Sequence, residues 1–174
     1  MAVTTTDAVL LRAHAYGETS RVLRFLTRDR GIVGVMARGV RSTKRGHGLA
    51  TFASGQLTLY HKATRDLQTY KEFAVVSPRR GLGTDPLRLA AASVLADLVL
   101  RHGGDAEAGD LYDALAGALD RLEGTPPAAI AGVLLREGWG LVAELGYRPE
   151  LDRCPLCGRE LAHDEMGRFD FSQG

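Results

Sequence analysis

Cysteine and aromatic residues are scarce in this chain of 174 residues. Two cysteines, both in one short segment, cannot build a disulfide scaffold. Aromatic residues make up 6%, but hydrophobic residues reach 45% and charged residues 25%, a balance typical of globular chains and not of disordered or collagen-like ones. No apolar run approaches the roughly 18 residues of a membrane span, and the N-terminus does not resemble a signal peptide. We therefore expect a cytoplasmic protein without a membrane partner.

Motifs of the common enzyme classes are also missing. Residues 39–46 (GVRSTKRG) lack the Lys-Ser/Thr ending of a phosphate-binding loop. There is no Gly-x-Ser-x-Gly turn to expose a nucleophile, and no two of the five histidines have the spacing of a helical metal pair. We predict that the protein is not an enzyme.

The net charge of +1 hides a strong asymmetry along the chain. Residues 1–80 hold 14 of the 22 Lys and Arg but 5 of the 21 Asp and Glu, so they carry +9 and the rest of the chain carries −8. Such a division favours a polyanion as the partner of the first part. The alternative is that the two parts attract each other.

Short strand-like segments fill the basic part. Five of them, rich in Val, Leu, Thr and aromatic residues and separated by turn residues, are 7–14, 20–27, 31–40, 55–62 and 67–76. Leu57 and Leu59 alternate with polar neighbours, as in a strand with one wet face. Five short strands that close to hide their edges predict an OB-fold β-barrel, although an SH3-like barrel fits the same pattern.

Helical periodicity replaces the strand pattern after residue 84. Asp85 and Pro86 supply a cap and a first-turn proline, and Gly103 ends the first helix. Its predicted buried stripe is Leu87, Ala91, Val94, Leu95 and Leu98. A second helix is predicted over about 107–123, and its predicted buried face is Leu111, Leu115, Leu119 and Leu122.

A third helix is predicted over 126–146, and it is apolar nearly all round, which predicts a place in the middle of a bundle. Residues 77–85 would join the barrel to the helices. The predicted class is α+β. Its three regions are a basic OB-fold nucleic-acid-binding domain (1–80), a helical domain (81–150) and an incomplete zinc-knuckle segment (151–174).

Cations in the barrel region are the best candidates for function. A glycine-bounded loop carries Arg38, Arg41, Lys44 and Arg45, which suits contact with a nucleic-acid backbone. The predicted DNA-binding set adds residues from two strands: Arg21, Arg24, Tyr60 and Lys62. Tyr60 would stack a base while Lys62 meets a phosphate. The aromatic rings of Phe25 and Tyr70 are either further stacking platforms or core residues.

Cys154 and Cys157 stand in Cys-Pro-Leu-Cys-Gly, the turn that presents two thiolates to one zinc ion. A structural zinc needs four ligands, and His163 is the nearest further candidate. The alternatives are a redox pair, for which no βαβ context is visible, or two ordinary thiols. The pattern thus predicts half of a zinc site, with Zn²⁺ as the cofactor to expect.

Two longer motifs resemble the signatures of one bacterial family. The first comprises Tyr-Gly-Glu-Thr-Ser-Arg (16–21), Leu-Thr-Arg-Asp-Arg-Gly (26–31) and Met-Ala-Arg-Gly-Val-Arg (36–41). The second is the run from Leu145 to Gly158 that contains both cysteines. Together they resemble RecO recombination mediators. That resemblance implies an OB domain, a helical domain and, in many members, a zinc module.

The resemblance also implies a non-enzymatic role in DNA repair by the RecF pathway. Members bind single- and double-stranded DNA, anneal strands and, with RecR, help RecA displace single-strand-binding protein. The family pattern runs Phe-Ser-x-x-Gly-Gly and on to a second Cys-x-x-Cys, whereas this chain stops at Phe171-Ser172-Gln173-Gly174, so the sequence is expected to be truncated. An RNA-binding OB module, or an adaptor whose basic face docks a protein, stays open as an alternative.

Overall fold

The computed structural model describes residues 2–40, 49–104, 108–148, 153–154, 156–160 and 162. The strands are β1 Ala2–Tyr16, β2 Ser20–Thr27, β3 Gly31–Ala37, β4 Ser54–His61 and β5 Leu67–Ser77. The α-helices are α1 Pro86–His102, α2 Gly109–Gly124 and α3 Ile130–Glu144. Short 3-10 turns at Arg80–Gly83 and Pro127–Ala129 precede α1 and α3. None of the described helices is long and apolar enough to cross a membrane.

The five strands close into a barrel in the order β1-β2-β3-β5-β4. β1 is long enough to pair antiparallel with β4 through its first half and with β2 through its second half. β3 and β5 run parallel, and all other pairs are antiparallel. This architecture confirms the α+β class and is consistent with an OB-like barrel. The predicted bounds were wrong by more than one residue for two strands, since β1 extends beyond 7–14 at both ends and β3 stops before Arg38.

The barrel interior follows from alternation along the strands. Leu57 and Leu59 point inward, as predicted, together with Leu23 and Phe25 on β2. The rings of Phe25 and Phe73 meet edge to face at 5.1 Å between centroids, and Phe25 is fully buried. Phe25 is therefore a core residue and not a stacking platform. Tyr70 is half-buried and packs against the same cluster.

A glycine is required where β4 meets β5. A Cβ built on Gly55 would lie 2.0 Å from the carbonyl oxygen of Ala74, inside the backbone of the neighbouring strand. The register between these strands also shifts beside Gly55. The close approach tightens the curvature that closure of a small barrel needs.

The caps of α1 are as predicted, but its buried stripe is not. The carboxylate of Asp85 accepts a hydrogen bond from the Arg88 N–H, and Gly103 follows the last residue of the helix. The face that packs inward consists of Ala91, Ala92, Leu95, Ala96 and Val99. Ala91 and Leu95 of the predicted stripe are thus buried, but Leu87 and Val94 are more than half exposed, because the contact face is centred on the side of the helix that carries three alanines with Leu95 and Val99. On α2 the four predicted leucines are all buried.

The expectation that α3 lies in the middle of a bundle was wrong. Only Ile130, Glu137 and Leu141 are buried on it, while Leu135 is 65% and Trp139 60% exposed. The helix packs on α1 and α2 along one side, and no described residue covers its other side. Its nearly uniform apolar composition therefore gave no information about which side is buried.

A buried carboxylate anchors α3 to α2. The Arg121 guanidinium donates to both carboxylate oxygens of Glu137, at 2.8 and 2.5 Å, and Arg136 adds two further hydrogen bonds. The hydrogen bonds from Arg121 hold the pKa of Glu137 below its usual range, although burial opposes them. The ionised form of Glu137 is thus favoured by folding.

Arg79 joins the barrel to the helices. Its side chain is 2% exposed, and its Nε donates to the Asp120 carboxylate on α2 at 2.6 Å. Its Nη1 donates to the carbonyl of Phe52, at 2.8 Å, and to the hydroxyl of Ser54, at the start of β4. Its Nη2 reaches the carbonyl of Ala116 on α2, at 3.3 Å. One guanidinium therefore satisfies acceptors from both parts.

We expect Arg79→Ala to lower the free energy of unfolding by about 3 kcal/mol, because it leaves buried carbonyls without a donor. Asp120→Asn is the matched control. Since the Asp120 carboxylate is more than half exposed, this substitution should lower the free energy of unfolding by less than about 1 kcal/mol. Urea unfolding of both variants measures the difference, and equal losses would contradict the assigned role of Arg79.

Glu137→Gln should lower the free energy of unfolding at neutral pH, and it should lower it much less in acid. A lowered folded pKa means that the stabilisation is present above the pKa of the unfolded chain and is lost as the pH falls through the folded value. The gap between the urea midpoints of wild type and variant should therefore narrow from about pH 7 towards about pH 3. A gap that does not change with pH would show that the pair contributes by packing alone.

Candidate nucleic-acid interface

Part of the positive charge of the barrel is neutralised by the helices. Arg12 pairs with Asp97 on α1, and Arg79 pairs with Asp120 on α2. Arg28 donates two hydrogen bonds to Asp113 on α2, which lower the pKa of that carboxyl. Attraction between the two parts of the chain thus accounts for three of the barrel arginines, as the alternative interpretation of the charge asymmetry required.

Other cations of the barrel have no such partner. Within the described part of the chain, these residues form no ion pair: Arg21, Arg24, Arg38, Lys62 and Arg65. Arg21 and Arg24 belong to β2, and the other three belong to the turns after β3 and β4. These five residues, called the cationic face below, include four of the eight predicted DNA-binding residues.

Arg24 is the member of the cationic face that lies on the outer surface of β2. Its neighbours Leu23 and Phe25 point into the core, so alternation turns Arg24 outward, as predicted. Its Nη1 lies over Gly34 of β3, 3.6 Å from the position that a Cβ would take there. Gly34 pairs with Leu67 at the start of β5. The same Cβ position at Gly34 is 3.5 Å from the carbonyl oxygen of Asp66, so Arg24 and the β4–β5 turn both lie beside Gly34.

The β4–β5 turn presents Lys62 and Arg65, and a buried amide fixes its shape. The Gln68 side chain accepts a hydrogen bond from the Lys62 N–H at 2.8 Å and donates to the carbonyls of Lys62 and Arg65. Both cations are exposed. Lys62 lies just after β4 and not within it, because the strand begins and ends one residue earlier than predicted.

The third part of the cationic face lies at the far end of β2 and β3. Arg21 pairs in register with Ala37, the last residue of β3, and the exposed Arg38 follows directly. Gly39 has a φ of 69°, which turns the chain immediately afterwards. The other predicted members of this loop, Arg41, Lys44 and Arg45, lie outside the described residues, and their role stays a prediction.

Tyr60 is on the outer surface of β4, as predicted, but its cationic neighbour is not the expected one. The ring is half-buried, and the Nζ of Lys71 on β5 lies 5.9 Å from its centroid. Lys62 was expected to act beside this ring, yet it lies beyond the end of the strand. A base could stack on this ring face only after Lys71 moves.

The two cysteines lie in a tight hairpin that suits a metal-binding knuckle. Arg153 and Glu160 form an antiparallel bridge, and the Gly158 N–H donates to the Cys154 carbonyl at 2.8 Å. Hydrogen bonds from the backbone of Cys157 and Leu156 lower the pKa of the Cys154 thiol, which favours the thiolate that zinc binds.

Two thiolates are half of a structural zinc site. Within the described residues no group of three or more His, Cys, Asp or Glu could hold a metal ion. His163 lies outside them. The cysteine pair fits zinc in its chemistry, but the ligands described do not complete the site.

Comparison with known protein families agrees with this geometry. The family model described as Recombination protein O N terminal matches residues 1–79, and the one described as Recombination protein O C terminal matches residues 83–171. The two models together cover nearly the whole chain, in the order barrel then helices. The chain belongs to the RecO family.

Curated relatives from three bacteria carry the name DNA repair protein RecO. The Heliobacterium modesticaldum protein is 32% identical over 92% of this chain and 58% of its own length. An Anaeromyxobacter relative is 33% identical over 95% of this chain and 65% of its own length. The Gloeobacter violaceus protein is 35% identical over 90% of this chain and 60% of its own length. The chain therefore spans about three fifths of the length of the RecO relatives that it matches.

Local sequence in this RecO-family member did not indicate several residues in and around the candidate interface. Arg65 was not among the predicted DNA-binding residues, although a cation in a short turn of a basic barrel was a usable signal. Gln68 and Lys71 lacked any local signal, because their contacts are with a turn and a ring on the neighbouring strand. Arg12 was also passed over, and its partner on α1 lies 85 residues away in sequence.

Proposed function

We propose that this chain binds the phosphate backbone of DNA and acts in repair and homologous recombination as a non-enzymatic mediator. The observation that supports it best is the division of the barrel cations. One set is used to hold the helices, while the cationic face has no ion-pair partner among the described residues. Cations without a protein partner that follow one surface are what contact with a polyanion requires.

The cationic face suits binding without base sequence preference. Its arginines and lysines extend from β2 and two turns, so they can neutralise successive phosphates and release the counterions condensed on them. Neither single- nor double-stranded DNA is excluded by such contacts, because both present phosphates. Neutralising two strands at once reduces their mutual repulsion, which is the physical basis for the strand annealing that we propose.

Base stacking would distinguish single strands from duplexes on this surface. Tyr60 is the available platform, and the cation beside its ring, Lys71, can turn to a phosphate when a base replaces it. We therefore include Tyr60 and Lys71 in the proposed site. Cooperation with RecR, with single-strand-binding protein and, indirectly, with RecA is proposed from family membership alone, as is a location at the nucleoid in the cytoplasm.

Replacing Arg24, Lys62 and Arg65 together by Ala should weaken binding to unrelated DNA sequences about equally. The slope of log affinity against log salt should fall by about two to three units, roughly one for each lost phosphate contact. Titration of a labelled mixed-sequence single strand between about 50 and 200 mM salt measures both effects.

Arg80→Ala is the control for this set, because Arg80 is exposed but lies in the 3-10 turn that leads to the helices. A comparable loss in affinity per charge in that variant would mean that only net charge matters. Unchanged binding in the triple variant would remove the cationic face from the proposal.

The same binding assay distinguishes the two alternative functions. An RNA-binding module would prefer matched RNA over DNA in competition, because it would contact the 2′-hydroxyl. An adaptor with a basic docking face would bind neither nucleic acid at about 50 mM salt. The absence of such a preference, combined with steep salt dependence, is the result that we expect.

We also propose that Cys154 and Cys157 supply two ligands to a zinc ion. Zinc would hold the hairpin as a structural ion and would take no part in chemistry. Cobalt loaded in place of zinc reports thiolate ligands by its absorption, and the signal should disappear in Cys154→Ser. A full-length chain that binds no metal, or a signal that survives the substitution, would count against this assignment.

A further inference from the structure

Arg12 and Arg24 stand directly opposite each other on the outer surface of the barrel. The register of β1 and β2 pairs their Cα atoms, at a point where β1 is irregular. Two like charges placed opposite each other on one face of an antiparallel pair repel, and both side chains are exposed here. Something must separate or neutralise them.

The side chains of Arg12 and Arg24 extend from this position in opposite directions. Arg24 lies over Gly34 on the β3 side, as part of the cationic face. Arg12 turns to α1 and donates to the carboxylate of Asp97. A helical aspartate therefore pairs with the cation that stands directly opposite Arg24 of the cationic face.

The ion pair of Arg12 with Asp97 is weak enough to break when another anion binds Arg12. The side chains are 46% and 39% exposed, so water competes for both and salt screens their attraction. A phosphate offers the guanidinium the same acceptor geometry as a carboxylate, with oxygens placed for two parallel hydrogen bonds. Replacement of the Asp97 carboxylate by a phosphate breaks only this exposed ion pair and no buried contact.

We propose that Asp97 masks a DNA-binding residue: it holds Arg12 by mimicking a phosphate, and DNA replaces it when it binds across Arg24. This rests on the proposed function of the cationic face. While Asp97 holds Arg12, a phosphate that reaches only one of the two arginines binds the barrel more weakly than it would without the helices. Arg12 contributes fully only to a backbone laid across β1 and β2.

The test is a double-mutant cycle measured with the full chain and a labelled single-stranded DNA of mixed sequence. Asp97→Asn should raise affinity about two- to fivefold, the most that an exposed ion pair withholds. Arg12→Ala should lower affinity, and adding Asp97→Asn to Arg12→Ala should then give no rise. The thermal midpoint of each variant shows whether it is folded.

Asp113→Asn is the matched control, since Asp113 is likewise exposed and holds the barrel residue Arg28. Arg28 also lies 4.7 Å from the ring centroid of Tyr112, away from the register position of Arg24. An equal rise in Asp113→Asn, or a rise in Asp97→Asn that survives in the Arg12→Ala background, would show a general effect of charge. Either result would overturn the proposal.

Arg24→Ala separates this inference from the proposed function. If Arg24→Ala weakens binding and Asp97→Asn changes nothing, the cationic face stands and the mask is overturned. If neither substitution matters, or the chain binds no DNA, the proposed site and the mask fail together. If Arg24→Ala is neutral while Arg12 and Asp97 behave as stated, DNA reaches Arg12 without crossing Arg24, and the proposal of binding across Arg24 is overturned.

Discussion

The buried guanidinium of Arg79 is the contact on which the relation of barrel to helices depends. It ties acceptors beside β4, from Phe52 and Ser54, to acceptors on α2. Within the described chain, Phe52 and Arg79 are the two residues other than glycine with positive φ, and one donates to the carbonyl of the other. Left-handed backbone is unfavourable for such residues, so these hydrogen bonds hold both in place.

Docking of the helices decides which barrel cations remain available. Val9, Leu11 and Leu26 turn their side chains out of the barrel and pack in one cluster with the helices. This apolar contact brings aspartates on α1 and α2 within reach of Arg12 and Arg28. The same packing that stabilises the fold therefore leaves positive charge on the surface of β2 and on two turns.

Local sequence was informative where one element contained both the signal and its consequence. Alternation along β2 placed Arg24 outward, and the Asp85–Pro86 pair began α1 where expected. It was uninformative where a partner lies far away in sequence. The apolar surface of α3 did not indicate its buried side, and nothing near Tyr60 indicated that Lys71 would cover its ring.

The amino-acid sequence by itself determined the class, the five strands, the caps of α1 and an excess of cations in the first eighty residues. Those properties depend on alternation, periodicity and turn chemistry, which act over a few residues. Tertiary structure alone decided which cations are paired. An ion pair such as Arg12 with Asp97 joins residues 85 positions apart. Such a contact depends on how the helices pack against the barrel, and no local pattern encodes that.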